Sequence, residues 1–533
     1  MAGRQTVVTP VDQLLTGASA RVHGDGATAD ILSRHLRGLG AEVVTGGPAP
    51  SGSAAEAVIE LTGGTRREIG VSWSGPVSEP GLTGELPVQA VCGVMHVNGR
   101  RRGAPRALAV DYCSTAAGVL AMTGFLASLH SDADSVRVET SVAEAALLSA
   151  SQYLAGAGAE DPEAVDLSPG GPPFVSADGV RFEIETLQPE PWGGFWKALD
   201  VDPAAIRASW RPFQFRYATA TAPLPSELHQ ATRAQSFAAI SDVAARTGMH
   251  VCRLHSPSPP SAGNPWQLRE TGGTPRQNPA STPHRPLASH LVLEAGRRIQ
   301  APLTAHLLRL LGADVTRIEP PGGDPLRGMP PCTGGISARW LALNRGKDAV
   351  ELDIKSATDR ERLRALAADA DVFLHNWAPG KAEELGLAAT DFDGGLVHAY
   401  TSGWGGSTEA DLPPGTDFMV QARTGLAELV GPESEPPSPS LMTLLDVLGG
   451  LLGAETVVAA LLARRRLGSG IAAESSLFGA AETLRAAPVS PRRAPAVEVT
   501  DDLAALLTDP RLTAVLGRDE LGCPALSTPW RFS

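Results

Sequence analysis

An aspartate followed at three and four residues by paired glycines, Asp446-Val447-Leu448-Gly449-Gly450, lies in a long apolar stretch from Ser440 to Leu484. Ahead of it, Leu441–Leu445 reads as a strand-like run that ends in Asp446. Behind it, apolar residues recur at Leu448, Leu451, Leu452, Val457, Val458, Leu461 and Leu462, closer to helical than to alternating spacing. Arg464, Arg465, Arg466 and then Gly468 close the segment as a helix C-terminus does. A carboxylate at the mouth of a helix sits in a field that favours its ionised form, so Asp446 has the chemistry of a nucleophile near neutral pH. Gly449 and Gly450 leave the backbone beside it bare, with N–H groups that could stabilise an oxyanion. The plainer reading makes Asp446 a helix N-cap, the commonest task for an aspartate in that position.

Other groups suit an anionic ligand. Arg297–Pro302 (RRIQAP), with Gln300 and Ala301, reads as a strand-to-helix loop with Pro302 near the first helical position, and such loops bind phosphates in doubly wound sheets. Glu319, Asp324 and Arg327 lie in a Pro/Gly turn where Asp324 and Arg327 could equally form a surface ion pair. Asn344 and Lys347 precede a strand, either as a solvated edge or as a phosphate contact. Val372–Leu374 is a buried strand, and Asn376 and Trp377 follow at its C-terminal end, where open α/β sheets bind ligands. Core packing is the alternative for Trp377. Lys381 stands just beyond.

These residues need a scaffold, and the chain offers two unequal versions of one. Ala29–Val44 is a helix that ends in Gly40 and feeds a strand, and Leu303–Ile318 has the same order. Gly40-Ala41-Glu42-Val43 pairs with Gly312-Ala313-Asp314-Val315 at an offset of 272; Asp111 pairs with Asp446, and Glu139 with Glu474, at 335. Val88-Gln89-Ala90 echoes Val420-Gln421-Ala422. The growing offset means that the second copy carries 63 residues that the first lacks. The expected organisation is a shortened copy over 20–155, a small α+β domain over 160–255, a Pro/Ser/Gly-rich linker over 256–287, the full copy over 288–487 and a C-terminal return over 500–533. Within the small domain, Val180–Thr186 alternates as a strand, a short helix follows, and Glu227–Thr247 reads as one longer amphipathic helix.

Composition limits the alternatives. The 533 residues are 43% hydrophobic and 19% charged, as in a soluble globular protein, and a formal net charge of −13 argues against non-specific nucleic-acid binding. Five scattered cysteines form no C-x-x-C pair, which suggests neither a zinc site nor a disulfide framework. No signal-like N-terminus or run of about 18 apolar residues stands out, so no membrane partner and a cytoplasmic location are expected.

The D-x-x-G-G segment, the Q-A-P loop, the E-P-P-x-G-D-x-x-R run and the N-R-x-K spacing together resemble the family III CoA-transferases (CaiB/BaiF type), over about 286–484. The resemblance implies an α/β fold with two Rossmann-like, doubly wound large-domain copies, the first shortened. It implies Asp446 as the catalytic nucleophile, and contacts to coenzyme A from Gln300, Ala301, Arg327, Asn344, Lys347, Asn376, Trp377 and, more distantly, Lys381. Acyl-CoA and a carboxylic acid would be substrates, with no resident cofactor and no metal. The racemases of the family use a G-H-D signature; Gly415-Thr416-Asp417 stands there, and a threonine cannot act as the base. A racemase with another base and a non-catalytic CoA-binding scaffold stay open. A nicotinamide oxidoreductase is disfavoured because no G-x-G-x-x-G follows a strand. Family members are interlocked homodimers, so two copies in one chain imply a built-in pseudo-dimer with one working site, or chains that pair further.

Overall fold

The computed structural model describes residues 11, 13–260, 263–274, 281–392, 394–407, 409, 411–492 and 495–533. It is a mixed α/β structure with two large sheets and a smaller layer between them in sequence.

In the second half, β10 (Leu291–Ala295), β11 (Asp314–Glu319), β12 (Asp348–Glu351), β13 (Val372–His375), β14 (Val397–Ser402) and β15 (Gly470–Ser476) form one sheet in the order β12-β11-β10-β13-β14-β15. All of these pairs are parallel. The order reverses between β10 and β13, and this reversal opens a crevice at their C-terminal ends. β9 (Trp266–Gly272) adds an antiparallel edge against β15. That strand lies inside the stretch expected to be linker. Alternate residues Trp266 and Leu268 are buried, so the Pro-rich composition around them hid a half-buried strand. Part of the same stretch, residues 275–280, lies outside the described residues.

The first half departs further from expectation. β1 (Ser19–His23) and β2 (Glu42–Thr45) pair in parallel through α1 (Ala27–Gly38). β3 (Ser53–Glu60) then runs antiparallel to both β1 and β4 (Arg66–Ser72). A connection as short as Leu61–Thr65 can only return the chain antiparallel, and Gly63 and Gly64 take the positive φ that the turn needs. β5 (Ser135–Ser141) is parallel to β4, and β16 (Arg531–Phe532) closes the edge antiparallel to β5.

The two edge strands cross over. β9 follows the first half in sequence but pairs with the second sheet, and β16 follows the second half but pairs with the first. Each begins at or just after a buried tryptophan: Trp266 Nε1 donates to Glu455 Oε1 (3.4 Å), and Trp530 Nε1 to Leu120 O (2.8 Å). Glu455, fully buried, also meets His35 Nδ1 of α1 at 2.8 Å. A single hydrophobic core runs through both halves, centred where α3 (Tyr112–Ser128) packs on α10 (Leu444–Leu467). By length and apolarity α10 could cross a membrane, but 94% of its most apolar window is buried inside the protein.

Between the halves, β6 (Phe174–Val175), β7 (Arg181–Glu185) and β8 (His250–Arg253) make a small antiparallel sheet. Four helices cover it: α4 (Pro189–Ala198), α5 (Pro203–Thr219), α6 (Ser226–Arg233) and α7 (Phe237–Thr247). Its own core holds Phe182, Trp192, Phe195, Trp196 and Phe213. The single helix expected over 227–247 is two, because the Ser236 hydroxyl caps a new start by accepting from Ala239 N–H.

Candidate active site

Asp446 is in the first turn of α10, not at a strand end. Leu441–Leu445 is apolar because Leu441, Met442, Leu444 and Leu445 are buried on every side; the run makes a turn at Thr443 and enters the helix at Leu444. Thr443 has φ 54°, a left-handed conformation that strains a β-branched residue. Nor is Asp446 the N-cap, since Thr443 holds that position without a side-chain cap.

The capping is done from outside. Asp417, at the start of α9 (Asp417–Thr424), accepts at Oδ2 from the N–H groups of Leu445 (2.7 Å) and Asp446 (2.8 Å). Its Oδ1 accepts from Gln421 Nε2 (2.5 Å), and Gln421 is itself locked to Ser440 N–H (2.9 Å) and C=O (3.0 Å). With the orphan helix donors satisfied by a neighbour, the Asp446 carboxylate is left to face a cavity.

Glu185, Thr186 and Leu187 of the small domain, Arg216 and Tyr217 on α5, and Arg298 line that cavity together with Asp446 and Asp417. Its volume is about 20 Å³, room for one water and not for an acyl group. Burial, and next the Asp417 charge, push the Asp446 carboxyl up to about 8, against the pull of Arg298. Burial also raises Asp417, to about 6, against its three donated hydrogen bonds. Asp446 is the higher of the two because, among the described residues, its carboxylate accepts no hydrogen bond. This reverses the sequence expectation: desolvation and a like charge outweigh the helix field.

Gly449 and Gly450 do not face the cavity. Both are buried inside α10, past the first four residues, so their N–H groups serve the helix ladder and not an oxyanion. They are small because α8 (Gln300–Leu310) crosses there: a Cβ at Gly449 would lie 2.9 Å from Gln300 Nε2, and at Gly450 2.9 Å from Leu303 Cδ2.

The expected CoA-contacting residues divide into four groups. Gln300 and Ala301 are buried at the start of α8, with Gln300 Nε2 donating to Ser402 O (3.4 Å). Asn376 is at the crevice and clamps the loop before α8, donating to Arg297 O and accepting from Arg297 N–H, both at 2.9 Å. Trp377 is half-buried beside His375, ring centroids 4.8 Å apart. Arg327 and Lys381 lie at the rim in ion pairs, Arg327 with Glu319 (2.8 Å) and Lys381 with Glu384 (2.7 Å); the Arg327 guanidinium also covers the Trp340 ring.

Asn344 and Lys347 are different. The Lys347 ammonium is fully enclosed and donates to Glu294 Oε2 (2.7 Å), Pro302 O (2.8 Å) and Asn344 Oδ1 (3.0 Å). Asn344 Oδ1 also accepts from Arg317 (2.7 Å), which bridges to Glu294 (2.5 Å), Glu319 (3.2 Å) and Asp324 (2.8 Å). All three Lys347 donors are used, so the direct phosphate contact expected of it is not what this geometry shows. The network sits beneath the E-P-P-x-G-D-x-x-R loop and holds it in shape.

Sequence reasoning missed Glu185, Arg216, Tyr217 and Arg298. The first three sit in ordinary strand and helix patterns of another domain and carry no local signal. Arg298 was visible only as one of two adjacent arginines before Gln300.

The site is thus an acid at a helix start beside the crevice of a parallel, doubly wound sheet. The sequence profile described as CoA-transferase family III matches residues 74–271 and again 287–495. The chain therefore belongs to CoA-transferase family III, the CaiB/BaiF type. It is 31% identical over 218 residues to a probable fatty acyl-CoA transferase of Mycobacterium tuberculosis, covering 39% of this chain and 54% of that one. It is 31% identical over 199 residues to succinyl-CoA:glutarate CoA-transferase of Mus musculus, covering 36% and 46%. A crystal structure of the mycobacterial protein matches with a TM-score of 0.36 at 30% identity, over 38% of this chain and 58% of that one. The chain spans about half the length of the curated relatives it matches.

Proposed function

We propose that the chain transfers CoA from an acyl-CoA to a carboxylic acid, with Asp446 as the nucleophile. The observation that carries this is the Asp446 carboxylate itself: freed from capping by Asp417, placed after a strained turn, and facing a cavity beside the crevice. The name of the succinyl-CoA:glutarate relative, a CoA thioester paired with a carboxylic acid, supports the substrate classes.

In the first step the Asp446 carboxylate adds to the thioester carbon, the C–S bond breaks, and a mixed anhydride and CoA thiolate form. The thiolate then adds to the aspartyl carbonyl, releasing the donor acid and leaving an aspartyl-CoA thioester. An acceptor carboxylate repeats the sequence in reverse, and Asp446 returns as a carboxylate. Asn376 and Trp377 line the route of the CoA arm, Arg327 and Lys381 its rim, and Gln300, Ala301, Asn344 and Lys347, all buried, support the loops from beneath. A cavity of about 20 Å³ must widen to admit the thioester, and the wall from the small domain, β7 and α5, is the part not continuous with the sheet.

The first half is read as a degenerate copy that serves as a built-in partner. Glu85, at the start of α2 (Glu85–Val91), repeats the Asp417 role there: it accepts from Cys113 N–H (2.9 Å), Ser114 N–H (2.8 Å) and Gln89 Nε2 (2.8 Å). Asp111, which the sequence pairs with Asp446, is instead the N-cap of α3, the place that Thr443 holds on α10, and Ser114 stands at the helical position of Asp446. Asp111 is closed off, accepting from Ser490 N–H (3.0 Å) and Oγ (2.5 Å) and pairing with Arg492 (3.0 Å). The double profile match and the crossed edge strands support a pseudo-dimer within one chain.

A racemase would need Asp417 to carry protons, but its oxygens are committed to three donors, and the Thr416 hydroxyl donates to Glu185 (2.8 Å). The test is a panel of acyl-CoAs and carboxylic acids, with products followed by mass spectrometry in deuterated water. Exchanged CoA esters are expected. Deuterium at the acyl α-carbon would indicate a racemase, and binding without any turnover a scaffold.

A further inference from the structure

Asp446 is surrounded by acid, with Asp417 behind it and Glu185 on the same cavity wall. The reaction proposed above, on which this inference rests, brings yet another carboxylate to the same carbon. Something positive has to receive it, and most of the nearby donors are committed. The N–H groups of Leu445 and Asp446 serve Asp417, that of Val447 serves Thr443 O (3.2 Å), and those of Gly449 and Gly450 lie within the helix. Arg216 is held by Glu185 (3.1 Å) and Phe213 O (2.8 Å).

Arg298 is the exception. It lines the cavity and its guanidinium lies 5.1 Å from the Tyr217 ring centroid, yet among the described residues it makes no hydrogen bond or ion pair. Its backbone is left-handed, φ 63°, a conformation that glycine or asparagine would adopt with less strain. Asn376 enforces it by gripping Arg297 on one side, and Ile299, buried in the core, anchors the other. A strained residue held in place at a cavity, its guanidinium donors bonded to no partner among the described residues, is kept for what those donors will hold.

We infer that Arg298 receives the acceptor: its guanidinium binds the incoming carboxylate and then the oxyanion formed when that carboxylate adds to the aspartyl-CoA thioester. In that step an acceptor oxygen bonds to the Asp446 side-chain carbonyl carbon, the C–S bond breaks, and CoA leaves as the thiolate. The guanidinium keeps its protons throughout. Its planar fork matches a carboxylate in bidentate geometry, which a lysine cannot reproduce.

Arg298→Gly tests this because it relieves the backbone strain while removing the charge, so the variant is expected to melt no lower than wild type. The acceptor KM should rise about 10- to 100-fold, with the acyl-CoA KM within about threefold. The rising limb of the kcat/KM pH profile should move to higher pH, because Asp446 loses its cation, and added guanidinium ion should restore part of the turnover. Arg298→Lys should recover the pH limb but not the acceptor KM. An unchanged acceptor KM and pH limb in Arg298→Gly would overturn the inference. Hydroxylamine trapping with donor alone separates the layers: a normal Asp446 adduct in that variant leaves the nucleophile standing, whereas no adduct in wild type removes the reading beneath.

Discussion

At the residue scale, the site is built by moving the capping task off Asp446 and onto Asp417. An aspartate that caps its own helix spends its carboxylate on backbone donors; here a neighbour supplies the oxygens and Asp446 stays available. The cost is a desolvated acid beside another acid, with a pKa near 8. Two outcomes follow. The kcat/KM profile should rise with pH toward about 8, since only the deprotonated form attacks. Because the folded state holds this proton more tightly than the unfolded chain, stability falls as pH rises from about 4 to about 8. Asp446→Asn should therefore abolish exchange yet melt about 1–3 °C above wild type at pH 8 and level with it at pH 4. A lower melting temperature at pH 8 would show that Asp446 is a stabilising carboxylate. Asp446 was legible in the sequence because a helix start and a glycine pair are local. Its pKa was not, because Asp417 and Glu185 arrive from other elements. Lys347 was misread for the same reason: a lysine before a strand looks solvated until Glu294 is seen against it. Removing that lysine leaves Glu294 paired with Arg317 but strips its Oε2 of the Lys347 donor, so Lys347→Ala should lose about 1–3 kcal/mol of stability in denaturant titrations. Loss of CoA affinity at unchanged stability would return Lys347 to the phosphate.

At the element scale, the long helix and its partner define where Asp446 stands. Gly450 and Gly453 let α10 and α8 approach until Thr304 Oγ1 donates to Gly450 O at 3.0 Å. A Cβ at Gly453 would fall 2.3 Å from that hydroxyl oxygen. Gly453→Val should cost roughly 1–3 kcal/mol and lower turnover by shifting Asp446, which lies about two turns earlier on the same helix. Wild-type stability and turnover in that variant would mean that the crossing is loose. The long helix after Asp446 and the strand at Val372–Leu374 were readable because each lies in one stretch of chain, whereas the equally apolar Leu441–Leu445 read as a strand and is a turn into the helix. The strand Trp266–Gly272 was not, because its partner β15 is far away in sequence and its flanks read as linker. The glycine pair was seen but assigned to the ligand, when it is the neighbouring helix that requires it.

At the scale of the whole molecule, the crossed edge strands tie the halves into one body. Trp530 is buried against the first half although the chain reaches it last, so Trp530→Ala should cost about 3–5 kcal/mol and unfold both halves in one transition. Two separated transitions would show that the halves are independent. The matching helix-to-strand turns at Gly40-Ala41 and Gly312-Ala313 were legible as local motifs; the exchange of edges was not, because no local pattern says which sheet a strand will join. The proposed pseudo-dimer makes one half a scaffold for the other. That asymmetry has a direct measure: incubate the protein with an acyl-CoA, trap the activated aspartate with hydroxylamine, and map the hydroxamate by mass spectrometry. The expected result is one adduct per chain, on Asp446, with Asp111 unlabelled behind Ser490 and Arg492. Stoichiometric labelling of Asp111, or none at Asp446 under turnover conditions, would contradict it.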